Sequence, residues 1–271
     1  MIGRQNLFAD AHGIVRAHTE CGIEIQPIRS RELIEAGGGF AEPLLRHLGA
    51  EHVDSLDASR FEGSTIVHDL NEWLPTELEQ QYSLVFDGGS LEHVFNFPQA
   101  LRNCLSAVAV GGHFVAVTPA NNLMGHGFYQ FSPELYYSVL TRSNGFQVDL
   151  ILVRATHRRA YWYAVRDPQV VGQRVTMTSP WPMLMYVVAK RIDDQQPLGQ
   201  TPQQSDYAAA WARRDRQTPI RPTPIPSLLA SSLEHLPAPA RRALRLASAL
   251  TGTKSAPGHF ERVQLSALAN A

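Results

Sequence analysis

The chain reads as an α/β fold organised on a mainly parallel sheet, and three observations carry that reading. Short runs rich in β-branched and apolar residues, His52–Leu56, Thr65–His68 and Tyr82–Phe86, each stop on an aspartate: Asp57, Asp69 and Asp87. Segments with apolar residues at helical spacing alternate with these runs through residue 145, which requires right-handed crossovers between parallel strands. A glycine pair, Gly111-Gly112, leads into His113–Thr118, a fifth strand apolar enough to be buried on both faces. A length of 271 residues allows one large domain, or one domain with an appendage.

Taken in order, Ile2 is at most the end of a strand. Leu7–Glu20 is expected to be helical, with Phe8, Ala11, Ile14, Val15 and His18 on one face. A turn-rich link through Pro27 leads to Glu32–Ala36, the run Gly37-Gly38-Gly39, and a helix Ala41–Leu48 with Pro43 in its first turn. After Tyr82–Phe86, two glycines turn the chain, and Leu91, Val94 and Phe95 recur at helical spacing. A helix begun by Pro98 then places Leu101, Cys104, Leu105 and Val108 on one face. Ser132-Pro133-Glu134 starts another, with Ser as N-cap, and Asn144-Gly145 ends it. Gln147–Val153 and Met183–Ala189 are the sixth and seventh strands. No helix of crossing length separates these two, so an antiparallel pairing is expected.

Charge and composition exclude several function classes. A net charge of −1 gives no general attraction to nucleic acid or to an anionic membrane, and no apolar run approaches the ~20 residues of a membrane-spanning helix. Cys21 and Cys104 are too few for a disulfide framework; a soluble protein of the reducing cytoplasm is expected, with Cys104 a buried structural thiol. Beyond Ile192 the composition changes. Nine of the 18 prolines lie between Pro197 and Pro257, and residues 194–271 carry nine Lys/Arg against five Asp/Glu. The expected division is a folded body over 1–193 and a Pro-rich basic tail over 194–271, the latter with an arm at 194–236 and a short helix over Pro239–Leu250. Oligomeric state is left open.

Candidate chemistry gathers at the carboxyl ends of the strands, where the loops of a parallel sheet present backbone N–H groups to ligands. An ionised carboxylate only accepts hydrogen bonds, so Asp57, Asp69 and Asp87 suit a diol, an exocyclic amine or a nearby cation. Glu92-His93 follows the turn at Gly88-Gly89. Imidazole exchanges a proton near neutral pH, so His93 either serves a substrate as base or orienting group, or packs structurally. The loop PANNLMGHGFYQFSP after the fifth strand is the richest polar cluster. There Asn121, Asn122, His126 and Tyr129 can reach a substrate, or the asparagines bond the loop to itself while the aromatics fill core. Trp162 and Tyr163 form either a lid or core. Neither His-Glu-x-x-His nor Cys-x-x-Cys spacing occurs, so no metal is expected.

The segment Tyr82 to Pro119 contains FDGGSLEHVFN, ALRNC and VGGHFVAVTP. With the three strand-ending aspartates it resembles the class I S-adenosylmethionine-dependent methyltransferases over about residues 32–190. Leu-Glu-His after the fourth strand marks a small-molecule branch, and the Gly-Arg-Gln and GHGFYQFSPEL runs resemble a bacterial subgroup. The resemblance implies a Rossmann-like methyltransferase fold: a mainly parallel seven-stranded sheet with an antiparallel last strand. It also implies S-adenosylmethionine as cofactor and methyl transfer to O or N of a small molecule or saccharide. Asp57, with Ala58 beside it, would take the ribose hydroxyls; Asp69 and Leu70 the adenine; Asp87, Gly88 and Gly89 the methionine end. His93 and His126 are the catalytic candidates, and Glu92, Asn121, Asn122 and Tyr129 the substrate contacts.

The first cofactor loop departs from the family's pattern. Glu35-Ala36-Gly37-Gly38-Gly39 precedes a helix, with Asp57 18 residues beyond Gly39, yet RELIEA is better helix than strand. Ile2-Gly3-Arg4-Gln5 would instead be a stub of strand one, followed by an extended insertion before Ala41, with Gly3 and Gln5 at the cofactor. Two other readings stay open: a nicotinamide- or nucleotide-sugar-binding Rossmann enzyme, disfavoured by the missing G-x-G-x-x-G, and a degenerate methyltransferase serving as a binding or assembly module.

Overall fold

The computed structural model describes residues 1–157, 160–215, 254–255 and 258–263. Ile2 is extended backbone and forms parallel bridges to Leu56 on one side and Asp87 on the other. Two helices then make an excursion, α1 (Ala11–Glu20) and α2 (Pro27–Gly37), which pack on each other before the chain returns beside its start through an Asn6–Phe40 bridge. Helix α1 begins four residues later than its periodicity suggests, because Leu7 N–H bonds Gly39 O and the Asp10 carboxylate accepts Gly13 N–H at 2.7 Å as the N-cap. Phe8 therefore lies outside the helix and is 95% exposed, whereas Ile14 and His18 are buried. Gly38, at φ 55°, is the left-handed cap of α2, so the glycine run ends a helix and follows no strand.

Helix α3 (Glu42–His47) precedes β1 (Leu56–Asp57) and β2 (Ile66–Val67), a short parallel pair. Strand β3 (Tyr82–Asp87) is followed by a 3₁₀ turn over Leu91–His93, in place of the α-helix that the apolar spacing suggests. Val94 is extended and Phe95 is exposed; the α-helical geometry starts at α4 (Phe97–Ala107). Leu101, Cys104 and Leu105 are buried against the sheet as the helical spacing requires, while Cys21 is exposed. Strand β4 (Val108–Asn121) alternates between buried and half-buried positions, so one face is less covered than its apolar sequence suggests. Helix α5 (Pro133–Val139) is shorter than expected and Ser132 makes no capping bond, but Gly145 (φ 78°) closes the following 3₁₀ turn.

The antiparallel partners come next: β5 (Phe146–Ala155), β6 (Trp162–Val165), the short helix α6 (Pro168–Val171), β7 (Met177–Thr178) and β8 (Met183–Arg191). Strand β8 lies between β4 and β5, antiparallel to both. Trp162 belongs to β6 and packs edge-on against Tyr186, 4.8 Å between centroids. Part of the segment read as an arm is helix α7 (Ser205–Asp215), held by Glu134 at the start of α5, whose carboxylate accepts Ser205 N–H at 2.6 Å. The chain then returns as β9 (Lys254–Ser255), paired with β7, and β10 (Phe260–Val263), paired antiparallel with β6. The order across the sheet is β2-β1-Ile2-β3-β4-β8-β5-β6-β10, a mixed sheet whose parallel half runs from β2 to β4. Strands β6 and β10 extend it beyond the expected seven. The helix expected over 239–250 lies outside the described residues. Among those residues no helix is long and apolar enough to cross a membrane.

Two buried polar side chains lock this arrangement. Asn103 on α4 donates to Leu70 O and Glu72 O, while its own oxygen accepts Leu74 N–H at 3.1 Å, which pins the loop after β2. Arg191, 2% exposed at the end of β8, donates to Leu105 O, Ser106 O and Val108 O, three carbonyls that converge where α4 passes into β4. Burial lowers its guanidinium from the usual arginine range. Arg191→Met keeps the stem's volume but removes a charged donor from all three carbonyls, so urea denaturation is expected to show a loss of about 2–3 kcal/mol. A loss no larger than that of an exposed arginine would contradict this role.

Candidate functional site

In a doubly wound sheet the crevice forms outside the carboxyl ends of the strands where the winding direction reverses. Here the reversal falls between Ile2 and β3. Gly3 N–H bonds Leu56 O (2.7 Å) while Ile2 N–H bonds Phe86 O (2.9 Å), so one residue holds β1 and β3 apart at strand spacing. Ser90 Oγ donates to Ile2 O at 2.9 Å and ties the turn after β3 to the same residue. The result is a cleft of about 350 Å³, within the size range of small-molecule sites, that brings together Gly3, Asp57, Ala58, Asp69, Leu70, Gly89 and His93 of the predicted set.

Gly3 has φ +65°, and a Cβ there would stand 2.8 Å from Ser90 Oγ and 3.9 Å from Asp57 Oδ2, so a bare backbone is needed at the cleft wall. Gln5 does not line the cleft: its carboxamide donates to Ile2 O and Ser90 Oγ, where a Cβ on Gly88 would meet it. Arg4 points away, paired with Glu42 at 2.6 Å and lying 3.8 Å over the Phe40 ring, which anchors the turn from behind. The Asp57 carboxylate accepts Ser59 N–H at 3.1 Å. Asp69, exposed, accepts from Asn71 N–H (2.9 Å) and Asn71 Nδ2 (2.7 Å), and these bonds hold it below the usual carboxylate range.

Sequence reasoning missed Ser90, His68 and Asn71, which also line the cleft. The Asn71 side chain accepts Asn96 N–H at 2.9 Å, so the Asp69 loop is joined to the entry of α4. Only the position of Ser90 directly after Gly-Gly could have flagged it.

Asp87 sits differently from its expected place facing a ligand. It is fully buried; Oδ1 accepts Ser90 N–H (2.8 Å) and Gly89 N–H (3.3 Å), and Oδ2 makes no hydrogen bond. Neither Asp87 nor Gly88 lines the cleft. Burial pushes Asp87 up to about 7, with the nearby Glu92 adding to the rise and the Ser90 N–H opposing it. Tyr136 is raised well above the usual phenol range by burial and then by these two carboxylates.

The loop after β4 divides the remaining candidates. Asn122 (φ 55°) donates to Ser179 O at 2.7 Å and to Trp181 O, Tyr129 OH donates to Phe95 O at 2.7 Å, and Asn121 ends β4 opposite Met183. Asn122 and Tyr129 thus spend these groups in holding the loop. His126 is brought to Glu92, with Nε2 3.3 Å from Oε1, and its ring lies 5.1 Å from that of His93. Phe128 N–H bonds Glu92 O at 2.7 Å, and a Cβ at Gly127 would stand 2.7 Å from that same oxygen, so glycine lets the loop dock.

No protein-family model and no curated protein matches the chain. Among solved structures it is similar to a protein of Bacillus halodurans C-125 described as a candidate methyltransferase, at 9% identity and TM-score 0.38, covering 58% of this chain and 89% of that one. It is also similar to the cyclase SpnF, at 14% and 0.30 (56% and 77% covered), and to an S-adenosylmethionine-dependent methyltransferase from Mesorhizobium loti, at 17% and 0.29 (58% and 88% covered). At these identities and scores the functional reading rests on the chain's own geometry.

Two outcomes follow from the site. Gly3→Ala forces a side chain into the left-handed region against Ser90, and is expected to cost about 1–3 kcal/mol in chemical denaturation; a neutral result would mean the turn is not constrained as described. For Asp87, the folded protein between about pH 4 and about pH 7 keeps a proton that the unfolded chain has released, so this contribution to stability is full in acid and is lost as pH rises to about 7. Asp87→Asn should remove that dependence. The difference between wild type and variant should change by up to about 4 kcal/mol between about pH 4 and about pH 7.5, and a parallel pH profile would refute the assignment.

Proposed function

We propose that the chain is an S-adenosylmethionine-dependent methyltransferase acting on O or N of a small molecule or saccharide. The carrying observation is the switch-point cleft: Asp57 and Asp69 stand at the ends of adjacent strands on one side of the bare Gly3 turn, and neither Lys nor Arg lines the space. Such a lining is set up for a neutral nucleoside joined to a cation. A diol and an exocyclic amine both donate to carboxylates, and a sulfonium is favoured by negative potential. The same lining opposes a diphosphate. Dinucleotide sites place the pyrophosphate at the N-terminus of a helix that opens directly from the first strand, whereas the chain after Ile2 runs through Asn6 and begins α1 only at Ala11.

In this reading Asp57 and Ala58 bind the ribose, Asp69 and Leu70 the adenine, and Gly3, Gly89 and Ser90 border the methionine arm. Asp87 acts from below by holding the Gly89 and Ser90 amides. The methyl group is already activated in the cofactor, so the protein's task is to hold the acceptor in line at near-attack distance. Phe95 and Phe128, exposed and edge-to-face at 5.7 Å, offer an apolar rim beside Glu92 and His126 for that acceptor. His93 is the cleft residue placed to take a proton from a hydroxyl or amine.

Calorimetry with S-adenosylhomocysteine and with NAD tests the proposal. Binding of the first and not the second is expected, and Asp57→Ala should weaken it roughly 10–100-fold, the cost of a charged hydrogen-bond partner. Absence of S-adenosylhomocysteine binding, or tighter binding of NAD, would sink it.

A further inference from the structure

We infer that Glu92, His93 and His126 form a binding site for one divalent first-row transition-metal ion of the zinc type. The three side chains offer ligand atoms that all lie within 4.8 Å of one another. Donors about 2.0–2.2 Å from a tetrahedral ion stand about 3.4 Å apart. His126 Nε2 and Glu92 Oε1 already meet that spacing at 3.3 Å, and a His93 ring nitrogen lies within 4.8 Å of both. The two imidazoles are inclined at 62°, not stacked, so a nitrogen from each can converge on one point.

The independent observation is Glu92. Its side chain is 0% exposed, and neither carboxylate oxygen accepts a hydrogen bond, although Oε1 faces His126. A buried carboxylate left in this state is costly, and its ordinary remedies are a cation or a full set of donors. The donors are absent among the described residues. Asp87 nearby also has an oxygen without a hydrogen bond, so it supplies no donor to Glu92 in this structure. The loop is fixed for the purpose: Phe128 and Tyr129 N–H groups both bond Glu92 O, and His126 N–H bonds Leu123 O, so His126 is delivered by anchored backbone. Two imidazoles and one carboxylate suit zinc, cobalt or iron far better than magnesium, and three protein ligands leave a position for water or an acceptor oxygen. The site needs no methyl-donor cofactor to bind its ion, and it shares His93 with the methyl-transfer reading: an ion held there would take over the imidazole nitrogen's role and activate the acceptor oxygen instead.

Untagged full-length protein, freed of metal by chelator and dialysed, is titrated with Zn²⁺ by calorimetry and with Co²⁺ by visible absorption. One ion per chain is expected, with the d–d bands of four- or five-coordinate Co²⁺, and no Mg²⁺ binding. His126 is 53% exposed, so His126→Ala should fold normally, as checked by circular dichroism in chelator. It should weaken Zn²⁺ by more than the about 100-fold that loss of an outer-shell partner can cost, as should His93→Ala. Stoichiometric binding that survives the double variant, or no binding by wild type, would overturn the site and leave Glu92–His126 an ion pair. S-adenosylhomocysteine binding by the same metal-free protein is measured in parallel, which keeps failure of the metal site separate from failure of the methyltransferase reading.

Discussion

The fold depends on the main chain of a single residue. Ile2 contributes one extended unit between β1 and β3, donating to Phe86 O, while its neighbours Met1 and Gly3 exchange bonds with Leu56. Without it the β1–β2 pair would be a two-stranded ribbon with an unpaired edge, and such ribbons are marginal in water. The same residue decides where the winding reverses and so where the cleft opens. Its carbonyl accepts Ser90 Oγ–H and its successor turns through a left-handed conformation, so strand pairing and cleft shape share one set of bonds.

Around that constraint the cleft walls are secured by amides more than by ion pairs. Asn103 reaches from α4 to three backbone groups of the loop after β2, and Asn71 in that loop bonds the entry to α4. A carboxamide can donate and accept at once, so it bridges loops without placing net charge beside a cleft whose own charge matters. Arg191 does the corresponding work at the far end of α4, where one guanidinium with several N–H groups reaches three converging carbonyls.

Acidic groups then separate into two environments. Asp57 and Asp69 sit at the solvent side of the cleft with backbone or amide donors, which for Asp69 favour the ionised form. Asp87 and Glu92 are wholly buried beneath the same turn and short of donors, and Glu92 adds to the cost of ionising Asp87. The first pair is arranged to meet a ligand's hydrogen-bond donors. The second lies behind the turn, with the His126 imidazole 3.3 Å from Glu92 Oε1.

Much of this was legible in the residues. The apolar runs ending at Asp57, Asp69 and Asp87, the buried face of α4 and the left-handed cap at Gly145 follow from side-chain periodicity and glycine's backbone freedom, which act over a few residues. That RELIEA prefers helix was also local, and it suffices to make Gly37–Gly39 a cap. Tertiary structure alone decided the rest, because the deciding contacts join distant positions. Ile2 becomes a strand only when Leu56 and Phe86 flank it; Leu91–Phe95 loses its helix to a 3₁₀ turn drawn in by Asp87; Asn122 and Tyr129 are spent on distant carbonyls; and residues 260–263 return to the sheet edge. Chain spacing offered no metal ligand set, since a histidine beyond β4 meets Glu92-His93 only after the loop has docked. Local propensity is a property of neighbours in sequence, while a site is a property of neighbours in space.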